Sequence, residues 1–209
     1  MEQIAQGIQH WKAVHPNLGV EVSSYWLPDL KLLLDPIAVP KEVDDVDCIL
    51  LTCRHHVRDS LAAAERFDAT IQAPRSGMHD YPEDTPIQPY DFGDSLLGGA
   101  VTTHEVGGLS PDETALHIPS VNALSIADGA IRYGDELHFV PDQYMGDPET
   151  DKANLKRGFG ELADQLDFDV LLLAHGKPYP SGGRDALRRF AESRASFNDR
   201  IEGPGRREP

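Results

Sequence analysis

Cys53, His55, His56, Arg58 and Asp59 put a thiol, two imidazoles, a guanidinium and a carboxylate within seven consecutive positions. Thiolates, neutral imidazoles and carboxylates ligate zinc and similar divalent metals, so metal binding is the first chemistry such a cluster can do. The second is nucleophilic, because Cys53 sits close to imidazoles that could accept its proton. A small residue at a strand exit is more often simply packed, which ranks a cysteine nucleophile below ligation and packing. The apolar run Cys48-Ile49-Leu50-Leu51-Thr52 reads as a buried strand that ends at the cluster, and Arg58 to Phe67 follows with helical spacing. A strand that ends in polar groups and turns into a helix is where α/β proteins place their chemistry.

The elements that must position this cluster are readable on both sides of it. Met1 to His15 carries Ile4, Ile8, Trp11 and Ala13-Val14 at loosely helical spacing, broken by Pro16. Glu21 to Leu27 alternates like a strand, and the more apolar Leu30 to Pro36 pairs with it as a hairpin. Ala69 to Pro74 is a strand one helix after Asp47 to Thr52, which completes a β-α-β unit. Arg75 to Asp94, rich in Pro, Asp and Gly, reads as an irregular surface segment. Strands are expected at Ala100–Val106, Ala115–Ile118 and Ala123–Ala127, the last turning at Asp128-Gly129. Asp151 to Leu166 has helical spacing, Asp169 to Ala174 is an apolar strand delivering His175-Gly176, and Gly182 to Phe197 is a final helix.

The order of these pieces resembles the metallo-β-lactamase fold from about Val22 to about Arg189. Ser24-Tyr25-Trp26-Leu27 with Leu33-Leu34-Asp35-Pro36 is similar to that family's opening hairpin and its Asp-Pro-Gly turn. Thr52 to Asp59 stands where the family has Thr-His-x-His-x-Asp-His. Cys53 replaces the first His, His55 keeps the second, Val57 replaces the Asp and Arg58 the last His. His104 to Pro111 resembles the loop carrying a later metal-binding His, with Leu109 in its place. Leu124 to Asp128 resembles the strand whose final Asp bridges two metals, and Leu173 to Pro178 the closing His-Gly-x-Pro element. The resemblance implies an α+β fold, an αββα four-layer sandwich of two mixed β-sheets flanked by helices. It also implies hydrolase chemistry, in which metals lower the pKa of a water to make a nucleophile near neutrality.

The replacements argue against a conventional dinuclear site. Val57 and Leu109 offer no donor atom, and Arg58 would put a guanidinium where a divalent cation should sit. Two outcomes remain. One is a catalytically impaired protein without a cofactor that binds a small anionic ligand or a protein partner, with Arg58 pairing Asp128 in place of a metal's charge. The other is a mononuclear hydrolase of an ester, thioester or lactone, with one zinc or other divalent ion on Cys53, His55, Asp128 and His175. The expected pocket comprises Cys53, His55, His56, Arg58, Asp59, Asp128 and His175, with Glu113 recruitable if the loops allow. For His55 and His175, a role as hydrogen-bonded pocket residues without a metal ranks ahead of ligation. Asp35 is expected to form a turn, and His10, His15, His79 and His138 to lie at the surface.

Composition narrows the partners. A formal net charge of −16 argues against nucleic acid and anionic membrane surfaces. The length of 209 residues suits one domain, set at 1–197 with a frayed tail at 198–209. No apolar run approaches the roughly 20 residues of a membrane span, and the first residues lack a basic-then-apolar leader pattern. Cys48 and Cys53 are too close along one strand and its exit for a stabilising long-loop disulfide, which fits a reducing cytoplasm. Neither oligomeric state nor substrate is encoded in any pattern of this kind.

Overall fold

A computed structural model describes residues 1–193 of the chain. Its strands assemble into two large mixed sheets. The first sheet runs in spatial order β1 (Glu2–Ala5), β2 (Ile8–Val14), β3 (Glu21–Leu27), β4 (Leu32–Leu34), β5 (Cys48–Leu50), β6 (Thr70–Pro74) and β7 (Ile87–Tyr90). Its first four strands pair antiparallel and its last four parallel. The second sheet, in chain order, contains β8 (Ser95–Leu96), β9 (Val101–Glu105), β10 (Thr114–Ile118), β11 (Ala123–Ile126) and β14 (Val170–Leu173), with β11 and β14 parallel. A separate hairpin, β12 (Ile131–Tyr133) and β13 (Glu136–His138), lies between β11 and β14 in the chain.

Side-chain alternation along the buried strands explains the layering, since successive residues point to opposite faces. Leu32, Leu34, Cys48 and Leu50 join Leu116, Ile118, Val170 and Leu172 in a core between the two sheets. The intervening Leu33, Ile49 and Leu51 face the other way, into a core that also holds Ala63 of α1 (Ser60–Phe67). Leu171 and Leu173 turn outward to Leu155, Phe159 and Leu162 of α2 (Pro148–Gln165) and to Leu187 and Phe190 of α3 (Gly183–Glu192). The result is the expected αββα sandwich of two mixed sheets with helices outside. Apolar runs such as Leu32–Leu34 and Val170–Leu173 lack polar alternation because both faces are covered. No helix among the described residues is long and apolar enough to cross a membrane.

Three stretches differ from the sequence expectation. Met1 to His15 is not helical but a β-hairpin: Gly7, at φ +73°, makes the turn, and Ile8 and Trp11 are buried on β2. Six consecutive pairings with β3 override the loosely helical spacing. The Arg75–Asp94 segment contains β7, whose Ile87 and Tyr90 are buried while Gln88 and Pro89 are exposed, too short a pattern to stand out among turn residues. Finally, α3 closes at Glu192 with Ser193 extended after it, and positions 194–197 of the expected final helix, like the tail set at 198–209, lie outside the described residues.

Candidate metal centre

Two pairs of parallel strands, one in each sheet, deliver the candidate site. In the first sheet β4 and β5 run side by side, so Asp35, one residue past β4, lands beside Thr52, two past β5. The Thr52 amide donates to Asp35 Oδ1 at 2.9 Å and the Thr52 hydroxyl to Oδ2 at 2.6 Å. The chain then enters a single 3-10 turn, Arg54–His56, which swings the His56 ring back under the strand ends. In the second sheet Ile126 of β11 pairs with Leu173 of β14, and the site residues follow at equal offsets: Asp128 two past β11, His175 two past β14.

His56 is the centre of the constellation. Its Nδ1–H donates to Asp35 Oδ2 at 3.0 Å and its Nε2–H to Asp128 Oδ1 at 3.1 Å. His175 Nε2 donates to the same Asp128 oxygen at 3.1 Å. Donor atoms of Cys53, His56 and Asp128 all lie within 4.8 Å of one another. Cys53 and His56 are buried, while the side chains of Asp128 and His175 are 21% and 22% exposed. The accessible lip of the site is therefore Asp128 and His175, with Cys53 and His56 beneath.

The electrostatics follow from this packing. Burial disfavours an imidazolium at His56, but nearby charges outweigh it and hold its pKa well above the usual histidine value. Burial also pushes the Cys53 thiol up to about 11, so at neutral pH the charges that count are the Asp128 and Asp35 carboxylates. Burial opposes ionisation of Asp128, yet His56 and His175 hold it well below the ordinary carboxylate range. Asp35 is likewise lowered against burial, by His56, Arg58 and Thr52. One imidazolium thus bridges the buried Asp35 carboxylate and the partly exposed Asp128 carboxylate. Glu113 is the exception: burial and the Asp128 charge push its pKa up to about 8. Its Oε1 accepts the Gly129 amide, and its Oε2 is buried without a partner.

The residues named from the sequence divide accordingly. Cys53, His56, Asp128 and His175 come together; His55 and Asp59 do not. His55 is exposed on the 3-10 turn, one position from the residue that enters the site, because the tight turn sends consecutive side chains in different directions. Asp59 is exposed and its carboxylate accepts the Ala38 amide at 2.6 Å, a loop contact. Arg58 does not pair with Asp128. Its Nη1 donates to the carbonyls of Ser23 and Asp35, both at 2.8 Å, from a backbone at φ +38°. Val57 and Leu109 are packing residues, each set against an apolar core.

Asp35, expected to form a turn, instead orients His56, and His10, expected at the surface, is 3% exposed. A carboxylate directly after a fully apolar strand was the available signal for Asp35, and the Ile8/His10 alternation was the one for His10. The high thiol pKa and burial of Cys53 describe an inert thiol rather than a nucleophile. Both cysteines are free.

Cys53, His56 and Asp128 form a donor set that a single metal ion would fit. His56 gives Nδ1 to a buried carboxylate, which fixes its tautomer and aims Nε2 at Cys53 and Asp128, the arrangement in which ligating histidines are held. A thiolate, an imidazole and a carboxylate form a donor set that zinc accepts. Arg58 is committed to carbonyls, and Val57 and Leu109 to apolar contacts.

No family model and no curated protein matches the sequence. Solved structures do. A metallo-β-lactamase family protein from Thermus thermophilus superposes with a TM-score of 0.65 at 17% identity, covering 91% of this chain and 78% of its own. The DIM-1 metallo-β-lactamase superposes at 0.69 and 13% identity, covering 91% and 95%. Rubredoxin oxygen:oxidoreductase from Desulfovibrio gigas superposes at 0.62 and 17% identity, and this chain covers 60% of it. At these identities the likeness is one of fold, and the fold is that of the metallo-β-lactamases.

Proposed function

We propose that this protein holds a single divalent ion of the zinc type on Cys53, His56 and Asp128, and hydrolyses an ester, thioester or lactone at that centre. The observation that carries the reading is the convergence of three different ligand atoms within 4.8 Å, one of them on an imidazole already oriented by Asp35. Three protein ligands with a position left open is the usual format of a catalytic rather than a structural zinc site. A bound ion would supply Lewis acidity, polarising a carbonyl and easing the deprotonation of water. The chain's own residues do the rest. Asp35 and Thr52 hold His56 in place from below, and Asp128 and His175 form the exposed lip at which a substrate can arrive. His175 holds a proton at Nε2 against Asp128, at the partly open side of the group.

The competing reading, a non-catalytic protein that binds a small anion or a partner protein, draws support from the same His56. A proton on Nε2 closes the charge between Asp35 and Asp128 with no metal. It loses its anion-binding residue, since Arg58 is spent on two carbonyls. The test is hydrolysis of a panel of activated esters, thioesters and lactones by protein that is metal-depleted and then given zinc. Turnover that requires zinc and disappears in Asp128→Asn supports the hydrolase reading; no zinc-dependent turnover on any class favours the silent one.

A further inference from the structure

We propose that Ser23, backed by His10, is the positioning residue that sets His175 against Asp128. The inference rests on the site described above but not on the presence of an ion. Ser23 is 1% exposed, yet all of its polar groups are in use, and of its partners Ala174, Gly176, Arg58 and His10 only His10 lies on the neighbouring strand β2. Its amide donates to the Ala174 carbonyl at 2.8 Å. Its hydroxyl donates to the Gly176 carbonyl at 3.1 Å and accepts from His10 Nε2 at 3.1 Å. Its own carbonyl accepts from Arg58. Ser23 on β3 therefore ties the loop that carries Cys53 and His56, through its backbone carbonyl and Arg58, to the loop that carries His175, through its amide and hydroxyl.

The grip on His175 is two-sided. The Gly176 carbonyl is held by Ser23, and the His175 carbonyl accepts the Arg132 amide at 3.2 Å. Gly176 permits this at φ +87°, where a Cβ would lie 2.2 Å from the Arg132 carbonyl oxygen. Just upstream, the Tyr25 hydroxyl donates to the Leu173 carbonyl at 2.7 Å and accepts the Leu173 amide at 2.9 Å, and His10 stacks on the Tyr25 ring at 5.1 Å. An imidazole and a hydroxyl beside Ile8, Tyr25 and Leu27 are costly to desolvate, and apolar residues would fill that space more cheaply. What the polar pair adds is direction. With its proton on Nε2, His10 donates to the Ser23 oxygen and turns the hydroxyl proton away from itself, toward the Gly176 carbonyl.

The test uses Ser23→Ala, His10→Leu and His10→Gln, the last keeping an N–H donor at about the reach of Nε2. Side-chain 1H–15N correlation spectra of metal-free protein read the tautomer of the neutral His175 ring. Contact with Asp128 holds the wild-type proton on Nε2, and Ser23→Ala and His10→Leu are expected to give both tautomers, with His10→Gln restoring one. General loosening of the fold would not produce that selective change and rescue. Cobalt(II) affinity should fall by less than about tenfold in the same two variants, because Ser23 reaches the ligand Asp128 only through His175. A wild-type His175 spectrum in Ser23→Ala, or in His10→Leu should Ser23→Ala fail to fold, overturns the inference. Failure of wild-type protein to take up cobalt would defeat the one-metal reading alone, because the His175 spectra decide this inference without it.

Discussion

Replacing Asp35 by Asn is the most informative single change to the folded protein. The carboxylate is 4% exposed and accepts from the Thr52 amide, the Thr52 hydroxyl and His56 Nδ1. Asn keeps one acceptor oxygen for the Thr52 amide but turns an NH2 group toward two donors, and it leaves the His56 imidazolium with Asp128 as its only carboxylate. Breaking a buried pair by removing one partner costs about 3–5 kcal/mol. For a chain of this size each kcal/mol moves the Tm by about 2–4 °C, so a fall of roughly 6–20 °C is expected. The loss should depend on pH. The folded pKa of His56 is raised, so its stabilisation is fully present below the unfolded value of 6.5 and fades as pH rises through the folded pKa. Urea unfolding of wild type and Asp35→Asn at pH 6 and at pH 9 gives both quantities. A loss below about 1 kcal/mol at pH 6, or an equal loss at both pH values, would refute the picture of an imidazolium between two carboxylates.

Other expectations follow from neighbouring residues. The folded pKa of Glu113, about 8, lies above its unfolded value of 4.5, so wild-type stability should fall between those pH values, by up to roughly 5 kcal/mol. Glu113→Gln should remove that part of the slope in denaturant titrations, and an unchanged slope would show that Glu113 is ionised in the folded state. Arg58→Ala, which deletes the donor to two carbonyls, should cost about 2–4 kcal/mol of unfolding free energy in metal-free protein, a loss of under about 0.5 kcal/mol being the contrary result. Cys53, buried and with its pKa near 11, should resist iodoacetamide in native metal-free protein and react on unfolding, as followed by mass spectrometry. Rapid native labelling at Cys53 would mean that the thiol is open and activated.

Fold and site differ in how far the sequence reveals them, for identifiable reasons. Fully apolar runs such as Leu32–Leu34 and Val170–Leu173 announce strands buried on both faces, while the αββα sandwich comes from the resemblance that their order and flanking motifs carry. The hairpin of β1 and β2 was hidden because Ile4, Ile8 and Trp11 satisfy helical spacing as well as strand alternation, and only pairing with β3 decides between them. In the site, Asp128 and His175 were readable through the family elements their segments resemble, and the structure sets each two residues past one of a pair of parallel strands. His56 and His55 were not separable, since a 3-10 turn rotates adjacent side chains by about a third of a circle and the sequence does not say where the turn begins. Arg58 was misassigned for a related reason. Charge logic favours Asp128 as its partner, but its left-handed backbone conformation aims the guanidinium at Ser23 and Asp35 instead.

The central claim is one metal ion bound through a thiolate, an imidazole and a carboxylate, and cobalt(II) titration of metal-free protein tests it most directly. The account predicts saturation at one equivalent, a thiolate-to-cobalt charge-transfer band in the near ultraviolet, and visible bands of four-coordinate intensity. The charge-transfer band should vanish in Cys53→Ser, and binding should weaken at least tenfold in His56→Ala and Asp128→Ala, each of which removes one ligand. Binding should also release protons, since the His56 Nε2–H and the Cys53 thiol must give theirs up. Two equivalents of cobalt, a spectrum without the thiolate band, or no uptake by wild-type protein would contradict it.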